Sequence, residues 1–161
     1  MTALGTAGVW TMAIGCGLMA GVYLTFSSFV MSSLAAIPSA EGIAAMQSIN
    51  RVIVRSLFMP LFLLTSVASV GLAIWGVARW GQSGAHYLVL GGLVYFIGMF
   101  VCTAALNVPL NNALDSVDAT TPQAAELWSE YLRDWTRWNH IRTVSSTVAC
   151  GLFLAAAHTL A

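Results

Sequence analysis

The charged residues of this chain are distributed so that long stretches carry none. Residues 1–40, 56–78, 80–114 and 143–161 contain no Asp, Glu, Lys or Arg. A helix that crosses the hydrocarbon of a bilayer needs roughly 20 predominantly apolar residues. In lipid, such a segment must satisfy its backbone polar groups internally, which a helix does. The four gaps therefore read as four crossings. Composition agrees: 58% of the residues are hydrophobic and 7% are charged, where a soluble domain carries about 25% charge. The expected fold class is an all-α membrane protein. It is a single domain over residues 1–161, an antiparallel bundle of four transmembrane helices.

The same composition excludes other classes. Formal net charge is zero and the six Arg are dispersed, so no basic footprint exists for a nucleic acid. Cys16, Cys102 and Cys150 fall in three different apolar stretches without a CxxC pair. That spacing specifies neither a disulfide framework nor a zinc site, and these thiols read as packing residues. The first stretch lacks the positive n-region of a signal peptide and is too long for an h-region, so it reads as a retained helix. Its Gly17 and Gly21 lie one turn apart and allow close helix contact, within the bundle or between copies in a homo-oligomer.

Span one is placed at about Gly8–Met31. After Pro38, Ser39 and Glu41 mark a helix start. An amphipathic stretch with Ile43, Met46, Ile49, Ile53 and Leu57 on one stripe is expected to run unbroken into span two, Leu57–Val77, with a kink at Pro60. A glycine-containing turn, Arg79–His86, leads to span three, Tyr87–Leu106, which Pro109 is expected to end near Val108. Thr120 or Thr121 with Pro122 starts the last helix. Nothing breaks its pattern before Leu160, so it is about 58 Å long at 1.5 Å per residue. Helices two and four are thus expected to project beyond the bilayer on one side and to enclose a polar vestibule. Arg51, Arg55, Arg133, Arg137 and Arg142 lie on that side, and Arg79 lies on the other. The positive-inside rule puts the Arg-rich side in the cytoplasm and both termini outside.

Polar residues near these helix ends form two constellations. Trp128, Leu132, Trp135, Asn139 and Arg142 share one face of the last helix at roughly 100° per residue. The stripe fits a site, and it equally fits an interfacial aromatic belt with a snorkelling Arg. Asn107, Pro109 and Asn111 form the second group. Their amides can satisfy carbonyls freed by the proline or line an internal cavity. Asn50 should lie at similar depth. Convergence puts Asn50, Asn107, Asn111, Trp135, Asn139, His140 and Arg142 around one pocket at the cytoplasmic-side membrane boundary, although His140 falls well off the Trp128–Arg142 stripe. His86 and His158 stand at the opposite end, near helix termini. With ligands scattered in depth, no haem and no metal are expected, and the cofactor expectation is none.

Asn50, Asn107-Val-Pro-Leu-Asn111, and Trp128…Trp135…Trp138-Asn139-His140-Ile141-Arg142-Thr143, set within four spans, resemble the anthrone-oxygenase-like integral membrane family over nearly the whole chain. The resemblance implies an oxidoreductase, a cofactor-independent oxygenase that oxidises an anthrone-like polycyclic phenol to a quinone with molecular oxygen. For bacterial relatives it implies a multi-pass protein of the cytoplasmic membrane. The ligand would be a hydrophobic aromatic small molecule. Under this reading His140 is the base, and Arg142, Asn139 and Asn107 hold phenolate oxygens. Trp128 and Trp135 stack on the rings, and Asn50 and Asn111 complete the binding set. The alternatives are a small membrane carrier and a structural or assembly protein without catalysis. A carrier is disfavoured because no internal repeat is visible.

Overall fold

The structure, a computed structural model, describes residues 3–160. Helix α1 spans Ala3–Thr25, widens into a π-turn at Phe26–Val30 and closes with Met31–Ala35. Helix α2 is Ser39–Ile53 and α3 is Phe58–Ala78. Helix α4 begins as Ala85–Tyr95 and passes through π-turns at Phe96–Val101 and Thr103–Asn107. It then continues as Val108–Asp115. Helix α5, Pro122–Leu160, runs 39 residues without interruption. Four of these rods are long and apolar enough to cross a membrane: Gly5–Ala35, Phe58–Ala78, Ala85–Asp115 and Pro122–Thr159. The protein is a multi-pass integral membrane helical bundle.

Small residues set the packing. A Cβ at Gly92 would meet the Ser69 carbonyl and the Ala73 side chain of α3, and one at Gly91 would meet the Phe153 ring of α5 at 3.2 Å. Gly17 faces Cys150 across α1 and α5, whereas Gly21 faces open space. Neighbouring helices run antiparallel, since Gly17 meets Cys150 while Tyr23 meets Asn139. Likewise Gly91 meets Phe153 while Asn107 meets Trp135. Large apolar side chains such as Leu64, Val67, Ile74 and Val144 stay exposed. In a bilayer these face hydrocarbon, where exposure of an apolar group has no cost. The turn between α3 and α4 has Gly81 and Gly84 at positive φ, which a residue with a Cβ adopts at a cost. In the turn before α5, the Thr120 backbone N–H and hydroxyl both donate to Asp118 and hold its carboxyl below the usual aspartate range.

Three expectations are corrected. Helix α2 does not continue into α3; the chain turns at residues 54–57. Pro60 therefore sits in the first turn of α3, where its missing N–H needs no partner. Ser56 supports the turn, its hydroxyl donating to the Ile53 carbonyl at 2.8 Å and accepting from the Phe58 N–H at 3.2 Å. Pro109 does not end span three, which runs on to Asp115. The π-turn at Thr103–Asn107 widens the backbone directly before Val108–Asp115, where Pro109 stands in the first turn, so the ring finds room without breaking the rod.

The third correction concerns the vestibule. The space between the extensions of α2 and α5 is a second hydrophobic core, with Met31, Ile43, Met46, Leu114, Trp128 and Tyr131 buried together. The main core, with Met19, Tyr23, Phe62, Tyr95 and Phe153, fills the bundle itself. The site lies at the seam between the two.

Candidate functional site

At that seam is a cavity of about 210 Å³ whose wall includes Tyr23, Phe26, Asn50, Phe58, Phe62, Phe100, Thr103, Asn111, Trp135 and Arg142. Every helix contributes. The wall draws aromatic side chains from α1, α3, α4 and α5, and amides from α2 and α4. An engineered apolar cavity of about 150 Å³ holds benzene, so this volume holds one aromatic ring with space beside it.

The polar end is built on α5. Trp128, Tyr131 and Trp135 stack in sequence, with ring centroids 5.5 and 6.0 Å apart. Their three- and four-residue spacing keeps them on one helix face. The stripe continues to Arg142, whose guanidinium carbon lies 4.9 Å from the Trp135 ring centre and 4.5 Å from that of Tyr23. Arg142 is 5% exposed. Among the described residues it makes no ion pair, because the pairs present are Arg51–Asp115 and Arg133–Asp134 on exposed surfaces. An isolated charge buried in this way costs several kcal/mol unless hydrogen bonds or a counter-charge compensate it.

Compensation from the protein is partial. Arg142 Nη2 donates to Asn139 Oδ1 at 2.8 Å, while Asn139 Nδ2 donates to the Tyr23 carbonyl and to Ser27 Oγ, each at 2.7 Å. Asn139 thereby ties the guanidinium to α1 beside its π-turn. Arg142 Nε, the Tyr23 hydroxyl and Asn50 Nδ2 are buried and make no well-formed hydrogen bond among the described residues, although the Tyr23 hydroxyl lies near Arg142 and Thr103, and Asn50 lies near the Tyr131 hydroxyl. All three belong to side chains of the cavity wall. Buried polar groups in native proteins are nearly always bonded. The Thr136 and Ser146 hydroxyls are orphaned as well but lie off the cavity, whereas these three sit on side chains of its wall, where a small side-chain movement would bring them to a bound polar atom. The arrangement can hold an aromatic ring system and present donors and a positive charge to an anionic oxygen on it.

The residues singled out in the sequence separate into three groups. Asn50, Asn111, Trp135 and Arg142 line the cavity. Asn107 and Asn139 stand behind the wall, fully buried. Asn107 Nδ2 donates to the Trp135 carbonyl at 3.2 Å and so ties α4 to α5. Asn111 Oδ1 accepts from both Tyr131 and Trp135, each at 2.8 Å. Trp128 and His140 lie elsewhere. Trp128 is packed in the second core, where its ring would be 3.0 Å from a Cβ on Gly42. His140 is exposed, with Nδ1 2.9 Å from Ser27 Oγ, and it is absent from the cavity wall.

Sequence reasoning missed Tyr23, Thr103 and the phenylalanines. The available signal was Tyr23 with Phe26 and Ser27, three and four residues on, which places an aromatic and polar face inside a charge-free helix. Among the described residues no three His, Cys, Asp or Glu side chains converge. His86 and His158 are exposed.

Fold and site together define a membrane-embedded helical bundle with an aromatic cavity that has a buried cation in its wall. The sequence profile of the anthrone oxygenase family matches residues 46–152, well over half of the chain, and the chain belongs to that family. The match runs through the cavity-lining parts of α2, α3, α4 and α5, and leaves Tyr23 and Phe26 of α1 outside it. No curated protein and no solved structure matches the chain.

Proposed function

We propose that the protein oxidises an anthrone-like polycyclic phenol to the corresponding quinone with molecular oxygen, in the cavity beneath Arg142. Family membership supports the reaction class. The observation that carries the reading is a buried guanidinium without a carboxylate partner among the described residues. It stands in the wall of an aromatic cavity, beside the Tyr23 hydroxyl and Asn50 Nδ2, neither of which makes a well-formed hydrogen bond among the described residues.

An anthrone has a ring carbonyl and, opposite it, a CH₂ flanked by two aromatic rings. Loss of one CH₂ proton gives an anion whose charge rests largely on the carbonyl oxygen. Placed against Arg142, with Tyr23 and Asn50 as further donors, that oxyanion is stabilised in surroundings of low polarity. The wall contains no carboxylate or imidazole, so the proton passes to water as the anion forms. The carbanion carbon then bonds to one oxygen atom of O₂, giving a peroxide anion that takes a proton back from water to become a hydroperoxide. Loss of the second CH₂ proton and cleavage of the O–O bond release water and leave the new carbonyl. One oxygen atom ends in the quinone and the other in water. Asn139 acts as a positioning residue by holding Arg142, and Asn107 does so by fixing the backbone of Trp135. The phenyl rings and Trp135 supply the apolar slot.

Oxygen uptake with 1,8-dihydroxyanthrone as the probe tests this reading. Purified protein in vesicles is expected to consume O₂ and form quinone above the spontaneous rate. Arg142→Gln should lower the protein-dependent rate by a factor on the order of 10²–10³, the usual loss for an oxyanion donor. His140→Ala should keep it within a few-fold, because the imidazole lies outside the cavity wall. A rate in wild type no greater than the spontaneous one, or one unchanged in Arg142→Gln, would remove the catalytic reading.

A further inference from the structure

Part of the cavity wall is exposed and apolar. Of the side chains around it, Val54, Ala104 and Val108 are exposed, whereas Tyr23, Trp135 and Arg142 are buried. The three exposed residues come from two elements, which are the two lips if the cavity opens where its wall is exposed. Val54 belongs to the turn between α2 and α3, and Ala104 and Val108 lie one helical turn apart on α4. The first lip carries Val52 and Leu57, which are 63% and 87% exposed, with exposed Arg55 and Ser56 between Val54 and Leu57. The exposed valines, alanine and leucine are unfavourable against water and suited to lipid, and Arg55 suits the headgroup layer. Depth agrees: Ala104 and Val108 lie inside the charge-free stretch 80–114, while Arg55 stands on the other lip and Arg51 just beyond it. That combination places the mouth at the boundary between hydrocarbon and headgroups.

We infer that the cavity is loaded sideways from the bilayer. Its ligand is a lipid-dissolved aromatic phenol that enters between the α2–α3 turn and α4. It enters uncharged, because an anion crossing the apolar rim would lose its hydration without compensation. It becomes an anion only inside the cavity, where the buried Arg142, with Tyr23 and Asn50, provides charge and donors shielded from water. An alkyl or other apolar substituent on the ring system then remains in the gap, in contact with Val54, Ala104 and Val108 and with lipid beyond them. The inference rests on the reading of the polar end as an oxyanion site, and adds to it the phase from which the ligand comes.

The test uses the full chain in phosphatidylcholine vesicles and two probes, a hydroxyanthraquinone with an alkyl chain and a hydroxyanthraquinone sulfonate that does not enter hydrocarbon. Binding is read as the part of the tryptophan fluorescence quenching that Arg142→Gln abolishes. The alkyl probe should bind and the sulfonate should not. At constant total probe well below saturation, occupancy should fall about twofold for each doubling of lipid, by mass action in the membrane phase. Ala104→Trp should slow the onset of quenching about tenfold, as expected when binding must wait for an obstructing side chain to move. Val108→Trp is the second variant should the first fail to fold, with thermal unfolding reporting on both. Equal binding of the sulfonate, indifference to lipid, or folded rim variants with wild-type onset would overturn the sideways route and leave the oxyanion site standing. Absence of any Arg142-dependent quenching by either probe would instead overturn the oxyanion site, and this inference with it.

Discussion

The guanidinium carbon of Arg142 lies 4.5 Å from the centre of the Tyr23 ring, on a helix that meets its own only through tertiary packing. The contact joins a residue of α5 to one of α1, some 120 positions away in sequence. It is reinforced by the Asn139 bond to the Tyr23 carbonyl at 2.7 Å. The cation is thus fixed by two ring faces, Tyr23 and Trp135, and a single amide, and its Nε has no hydrogen-bond partner among the described residues. An arginine serving only as a structural tie would be expected to have its donors taken up by the protein.

Asn139 is predicted to matter for stability first. Replacing it with Leu removes the bonds to Arg142, Tyr23 and Ser27 and leaves a buried cation less compensated. A loss of about 1–3 kcal/mol is expected for each buried group left unsatisfied, seen as earlier unfolding in denaturant. Probe affinity should fall with it, because Arg142 loses its anchor. Wild-type unfolding in Asn139→Leu would show that the amide holds nothing in place.

Asn50 should behave in the opposite way. Its Nδ2 is buried without a partner among the described residues, so Asn50→Leu removes an unsatisfied group. Stability should hold or rise by about 1 kcal/mol, while affinity for a hydroxyanthraquinone falls. A stability loss with unchanged affinity would assign Asn50 to packing and remove it from the ligand's donors.

Gly92 tests the close packing of the bundle. A methyl group there would press on the Ser69 carbonyl and stand 2.8 Å from the Ala73 side chain. Gly92→Ala should therefore push α3 from α4 and destabilise by about 1–3 kcal/mol, as overpacking does. The paired variant Gly92→Ala with Ala73→Gly should recover part of that loss. Thermal unfolding of the variants decides it, and an unperturbed single variant would mean that the two helices separate without cost.

The four crossings were legible because absence of charge over about 20 residues has few other uses in a folded chain. The inward stripe from Trp135 to Arg142 was legible for a similar reason, since helical spacing alone sets which side chains share a face. Pro60 and Pro109 were harder. A proline fixes one dihedral and deletes one donor, and whether it kinks a helix, starts one or rides on a π-turn depends on its neighbours' hydrogen bonds. At Pro60 that choice fell to Ser56, and at Pro109 to the widened turn Thr103–Asn107. Tyr23 was hidden because its role arises from packing against a helix far along the chain, and no local pattern records that. Trp128 shared the stripe of Arg142, yet more than three helical turns separate the two positions. Trp128 is therefore buried in the second core and does not reach the cavity.

The central claim is that Arg142 stabilises an oxyanion inside the bundle. Its most direct test is the absorption spectrum of an alkyl hydroxyanthraquinone bound to the protein in vesicles, followed through a pH titration. Beside an unpaired guanidinium the bound phenol should ionise about 1–3 pH units below the same probe in protein-free vesicles, and Arg142→Gln should abolish the difference. Ionisation of the bound probe at or above its protein-free pH, or a downward displacement that survives in Arg142→Gln, would contradict the account.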